Sequence, residues 1–173
     1  MWEEGNGLIT KHKICEAESR CLSKNCSPED FHTRRILRAT IDINGVYLDV
    51  YNVHFNWFED GFQNEFEKLL EWIEERKNEK FIIAGDFNVS SESNCYKALT
   101  GSKVIGKRLI DCWLIVNTDA PHEPTFVGDE QSQQSRIDYV LIPEDILCKS
   151  GYVVFKERKV SDHYGLYYEL NLK

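Results

Sequence analysis

Two runs of alternating apolar and polar residues, Ile36 to Ile43 and Val46 to Phe55, meet at Asn44-Gly45. Side chains of a strand face opposite sides with a period of two, and Asn-Gly readily takes the positive φ angles of a type I′ turn. The pair predicts a β-hairpin. From Asp60 the period changes: Phe62, Phe66, Leu69, Leu70 and Ile73 fall at i, i+4, i+7, i+8 and i+11, one stripe of an α-helix. Asp60 is placed to cap it, with Gln63 completing a capping-box-like pair, and Glu67, Glu71, Glu74 and Glu75 form a solvated opposite face. Phe81-Ile82-Ile83-Ala84 is too compact for a helix and reads as a strand buried on both faces. Ile137 to Ile142, Tyr152 to Phe155 and Leu166 to Leu170 complete the predicted strands. Glu16 to Thr33, interrupted by Cys, Ser, Asn and Pro28, reads as a long surface loop. Strands outnumber helices, which implies an α/β or α+β class with sheet packed on sheet.

The chain has 173 residues, 42% of them hydrophobic, enough for one sizeable core, so residues 1–173 are expected to form one domain. Lys and Arg total 21 against 29 Asp and Glu, a formal charge of −8, which repels a polyanion and disfavours long nucleic acid as a partner. A cleft holding divalent metal would invert that field locally. Cysteines stand at 15, 21, 26, 95, 112 and 148 with no CxxC spacing and no signal-peptide pattern ahead of them. They read as reduced thiols of a cytoplasmic protein rather than a disulfide framework, which a chain of this length does not need. Nothing approaches the ~20 apolar residues of a membrane span.

The chemistry-bearing residues sit where strands end. Asp86 and Asn88 follow the buried strand in Gly85-Asp86-Phe87-Asn88; in an extended segment residues i and i+2 point the same way, so a carboxylate and an amide would aim at one site. Asp and Asn are equally at home as turn residues after a strand. His54 ends the strand face Val46, Leu48, Val50, Asn52, His54, apolar turning polar, which suits a strand running from core into cleft or an ordinary surface histidine. Asp138, inside Arg136-Ile137-Asp138-Tyr139-Val140-Leu141, needs a partner if buried. His163 in Val160-Ser161-Asp162-His163-Tyr164 is the natural one, since a carboxylate bonded to imidazole fixes its tautomer and raises its basicity. Adjacent Asp162 and His163 cannot face one site from a regular strand, so that segment should bend.

In order, Asn52-x-His54, Gly85-Asp86-Phe87-Asn88, Arg136-Ile137-Asp138-Tyr139 and Ser161-Asp162-His163 resemble the endonuclease/exonuclease/phosphatase superfamily, with its His-bearing strand, GD-x-N, (I/L)D(Y/F) strand and SDH segment. Gly5 to Ile14 resembles that family's mid-fold EG-x-(G/A)-(L/I)-(I/L)-(S/T)-K segment. The resemblance implies the DNase I-like fold, an α-β-β-α sandwich, here lacking its N-terminal strands. The family's domain opens with strands bearing an Asn and a metal-binding Glu, and both precede the segment matched at the start of this chain; Glu3 and Glu4 are not convincing substitutes.

The resemblance further implies hydrolysis of a phosphate ester by in-line attack of water, assisted by Mg²⁺ or Mn²⁺, ions suited to hard oxygen ligands. His163 would be the general base, oriented by Asp138. Asp86, Asn88 and Asp162 would serve the metal, and Asn88 and His54 would donate hydrogen bonds to phosphoryl oxygens. His54 is followed by an aromatic and acidic stretch through Trp57, Phe58, Glu59 and Asp60, whereas a nuclease would want Lys and Arg along the phosphates. Its rings can stack on a small substrate or simply pack the loop. This is similar to the bacterial sugar-phosphate phosphatase and sphingomyelinase-like branches and implies a small phosphate ester, such as a sugar phosphate or phospholipid head group. The alternatives are a Mg²⁺-dependent endonuclease or exonuclease, and a truncated, non-catalytic phosphate-binding remnant.

Overall fold

The computed structural model describes residues 5–23, 33–57, 59–120, 122–128, 133–158 and 160–172. Among them nine strands and three helices form an α/β structure built on a seven-stranded sheet. The predicted hairpin is β2 (Arg35–Ile43) and β3 (Val46–His54), and its turn residues Asn44 and Gly45 have φ of 55° and 89°. The first strand, β1 (Lys13–Cys21), pairs antiparallel with β2 and forms one edge of the sheet. Its later part, Glu16 to Cys21, takes up the start of the stretch expected to be loop. As an edge strand exposed along most of its length, it carries no apolar alternation to reveal it. Residues 24–32 of that expected loop lie outside the described residues.

Helix α1 (Glu59–Arg76) buries Phe62, Phe66, Leu69 and Ile73 as the stripe predicts, together with Trp72. It begins before Asp60, and the Gln63 amide bonds Glu67 instead of reaching back to a cap. The helix is the crossover that lets β3 run parallel to β4 (Phe81–Asp86). Then come α2 (Asn94–Gly101), β5 (Lys103–Val104), β6 (Lys107–Asp111), α3 (Cys112–Val116), β7 (Asp138–Pro143), β8 (Leu147–Val154) and β9 (Gly165–Asn171). The large sheet has the order β1-β2-β3-β4-β7-β6-β5, and β8 and β9 form a separate two-stranded sheet.

The two faces of the large sheet differ. On one, Tyr51, Val53, Phe81, Ile83, Tyr139 and Leu141 share the main core with α1. On the other, Ile142, Ile82 and Val140 pack with Tyr168, Leu170 and Cys148 of the small sheet. Because two strands cannot cover a seven-stranded face, Ile82 and Ala84 are only half-buried, which corrects the expectation of a strand buried on both sides. A cavity of ≈ 340 Å³ opens there, lined by Val50, Asn52, Ala84, Val140 and Leu166 and reaching Asp138.

Cys15, Cys95, Cys112 and Cys148 are not disulfide-bonded, but Cys21 is. That corrects the expectation of six reduced thiols, because pairing depends on which cysteines the fold brings together, not on spacing alone. No helix among the described residues is long and apolar enough to cross a membrane.

Candidate active site

Strands β3, β4 and β7 place their polar ends at one edge of the large sheet. His54 is the last residue of β3 and Asp86 the last of β4, and the parallel register sets them side by side. Asp138 is the first residue of β7, directly opposite Asp86 in the antiparallel register. A row of edge-on rings supports this edge: Phe62 with Phe55, Phe55 with Phe87, and Phe87 with Tyr139, at centroid separations of 5.3, 5.3 and 5.4 Å. Each such pair contributes ~0.5–1.5 kcal/mol beyond its buried area. At Gly85, with φ 137°, an added Cβ would lie 2.0 Å from the Val53 carbonyl oxygen, so only glycine lets β3 and β4 approach this closely just before Asp86.

Asp86, Asp138 and His163 each offer a ligand atom within 4.8 Å of the others. His163 Nδ1 lies 2.9 Å from Asp138 Oδ2, and its Nε2 is 3.9 Å from Asp86 Oδ2. His54 Nε2 approaches the same Asp86 oxygen at 3.5 Å. With its proton on Nδ1 and donated to Asp138, His163 turns the Nε2 lone pair toward Asp86 and the open side of the site. Ser161 and Asp162 form the expected bend ahead of it.

Electrostatics follow from that placement. Burial, with the Asp138 charge opposite, pushes the Asp86 carboxyl up to about 6. The hydrogen bond to Asp138 holds the His163 imidazolium above its usual range, working against partial burial. Like charges directly opposite on neighbouring strands are unfavourable. A cation between them would relieve the repulsion, and carboxylate oxygens are the donors that Mg²⁺ and Mn²⁺ take. The donor set therefore fits a hard divalent ion.

Not every expected residue converges in this way. Asn88 does not continue an extended strand: its φ is 52°, its N–H donates to Asp86 Oδ1 at 2.8 Å, and its amide donates to the Phe55 carbonyl at 2.8 Å. Asp86 and Asn88 thus form a local turn rather than a parallel-pointing pair. The Asp162 side chain is exposed and accepts from Ser161 Oγ at 3.1 Å, outside the three-residue cluster. Trp57 stands 70% exposed beyond His54, whereas Phe55 and Phe62 of the same stretch are fully buried; Phe58 lies outside the described residues. Sequence reasoning missed Arg34, whose Nη1 is 3.3 Å from both ring nitrogens of His54 and whose Nε donates to Asn56 Oδ1 at 3.4 Å. No motif flags it, because it sits just ahead of β2, outside any strand, and meets His54 only in three dimensions.

The model of the endonuclease/exonuclease/phosphatase family matches residues 2–163. The chain belongs to that family. Its members are hydrolases acting on phosphoesters, and they generally use divalent metals. No curated protein matches the sequence. Among solved structures, an endonuclease/exonuclease/phosphatase from Bacteroides vulgatus superposes with a TM-score of 0.78 at 19% identity, covering 94% of this chain and 67% of its own. A mannosyl-6-phosphatase from Bacteroides thetaiotaomicron gives 0.70 at 21%, covering 92% and 67%. Zebrafish (D. rerio) TDP2, complexed with single-strand DNA product, gives 0.67 at 19%, covering 92% and 68%. The chain thus spans about two thirds of the length of these structures, and at such identities the likeness establishes the shared DNase I-like fold.

Proposed function

We propose that this protein is a metal-dependent phosphoester hydrolase acting on a small phosphate ester, such as a sugar phosphate or a phospholipid head group. The observation that carries the reading is the facing pair Asp86 and Asp138, with His163 bonded to one and its free ring nitrogen turned toward the other. A bound Mg²⁺ or Mn²⁺, held through Asp86, would polarise the phosphoryl group and stabilise its developing charge, while Asp162 and Asn88, the other ligands expected from the sequence, are engaged in local hydrogen bonds. His163 takes the proton of the attacking water on Nε2, and Asp138 holds the ring in the tautomer that can do so. His54, beside Asp86 and against Arg34, donates to a phosphoryl oxygen as negative charge builds. The net charge of −8 and the exposed Trp57 support a small substrate over long nucleic acid.

The test is phosphate release from a panel of sugar phosphates and phosphocholine esters, with plasmid DNA alongside, in Mg²⁺, in Mn²⁺ and after exhaustive chelation. Turnover of the small esters that disappears with the metal is expected. Activity surviving chelation would overturn the metal dependence. Plasmid cleavage without small-ester turnover would replace the substrate class, and heat of Mg²⁺ binding without any turnover would leave a binding protein.

A further inference from the structure

We infer that Thr125 is a positioning residue whose buried hydroxyl holds Asp138 and His163 in mutual register, an inference that rests on reading those two as the orienting acid and the base. Thr125 is fully buried. Its Oγ1 accepts the backbone N–H groups of both Ile137 and Asp138, each at 3.1 Å. Its own N–H donates to Ser135 O at 3.1 Å, and its carbonyl accepts from the Tyr164 N–H at 2.7 Å. One residue therefore grips the backbone at Asp138 and the peptide that follows His163.

The neighbours of Thr125 extend that grip. Phe126 bridges to Ser135 on one side and His163 on the other, and its ring lies 5.1 Å from the His163 ring. Val127 and Gly128 donate to the Asp162 carbonyl at 2.9 and 3.2 Å. Residues 125–128 thus form a strip between the start of β7 and the segment entering β9, joining the large sheet to the small one across the site. Successive N–H groups of a regular strand point to opposite sides, so a single acceptor serving both Ile137 and Asp138 marks a bend there. Without the hydroxyl, two interior N–H groups lose their acceptor at once, and Asp138 is the residue free to shift.

The test uses the full chain labelled with ¹⁵N-histidine, following by NMR the exchange with water of the His163 Nδ1 proton. Thr125→Val removes the hydroxyl at nearly constant volume, Thr125→Ser keeps it, and Thr125→Cys weakens the acceptor should the valine variant not fold. Wild type and Thr125→Ser should both hold a slowly exchanging proton bonded to Asp138. In Thr125→Val or Thr125→Cys exchange should quicken about tenfold or more, the scale of effect when an orienting partner is lost. Ile146→Val, trimmed in the second core cluster, should lower the melting temperature without changing that proton. An unchanged His163 proton in a folded Thr125→Val or Thr125→Cys protein, with the Ile137 and Asp138 amides deprotected, would reduce Thr125 to a structural acceptor and overturn the inference. Absence of the protected proton in wild type would overturn the dyad as well, whereas a protected proton in a chain that releases no phosphate would count against the proposed hydrolysis alone.

Discussion

Two carboxylate clusters lie within two residues of each other along the entry to β7, and they are built to opposite specifications. Arg136 is buried, with Nη1 2.6 Å from Asp111 Oδ2 and Nη2 donating to Tyr96 Oη at 3.2 Å, while Tyr96 donates to the same Asp111 oxygen at 2.6 Å. Its guanidinium also packs on the rings of Tyr96 and Tyr139, and Asp111 caps α3 through Trp113 N–H. Charge is balanced there and water is excluded. Two residues on, Asp138 faces Asp86, acid against acid, each only partly buried, with one imidazole between them. A closed, neutral cluster holds chain segments together, and an open one with surplus negative charge is poised for a ligand that brings the missing positive charge.

The sharpest way to break this contrast is at His163 and Arg136. His163→Ala should lower turnover by ~10²- to 10⁴-fold, the usual contribution of a positioned base, and leave the melting temperature nearly unchanged, as paired steady-state kinetics and thermal melts would show. Arg136→Ala should do the reverse first: leaving Asp111 buried and unpaired costs about 3–5 kcal/mol, a large part of the ~5–15 kcal/mol total of a typical domain, readable as a shift in the denaturation midpoint. A wild-type midpoint for Arg136→Ala would mean that the closed cluster does not hold the fold.

Smaller effects sharpen the open cluster. Asp138→Asn should lower turnover by ~10- to 100-fold, less than His163→Ala, because Asp138 acts through the imidazole; a larger loss than for His163→Ala would reverse the two roles. Asp86→Asn should raise the melting temperature of the metal-free protein at pH 7. The sign follows from the raised carboxyl of Asp86, about 6 in the fold against roughly 3.9 unfolded. Well below pH 4 both states are protonated and wild type matches the variant. As pH climbs toward and past 6 the folded state must carry the disfavoured charge, and wild type falls behind by about 3 kcal/mol. Mg²⁺ affinity of the wild type should decline over the same interval as pH drops, since proton and metal compete for Asp86; affinity flat from pH 7 to 4.5 by titration calorimetry would remove Asp86 from the ligand set.

What could be read from the sequence follows physical scale. The Asn44-Gly45 hairpin and the α1 stripe are local patterns, so their residues announce them. His54, Asp86, Asp138 and His163 converge as expected because each ends or begins a strand, and strand register carries them to one edge. Features set by distant contacts were not legible. The edge strand β1 has no buried face to imprint on its residues. The β5–β6 turn uses Ile105-Gly106, with φ of 51° and 73°, where no Asn or Asp advertises it. Helices α2 and α3 are too short for a clear period. Asn88 left the extended path because its own backbone N–H found the Asp86 carboxylate two residues back, a competition that a period-two argument cannot see. Thr125 and Arg34 matter only through partners more than ten residues away.

Gly85 also makes the spacing of the reacting groups robust to change around them. Where a Cβ would strike the Val53 carbonyl at 2.0 Å, the spacing between the His54 and Asp86 backbones is set by main-chain contact and depends on no neighbouring side chain. Substitutions in the surrounding core or loops should therefore leave that spacing in place, whereas Gly85→Ala should push the His54 and Asp86 backbones apart.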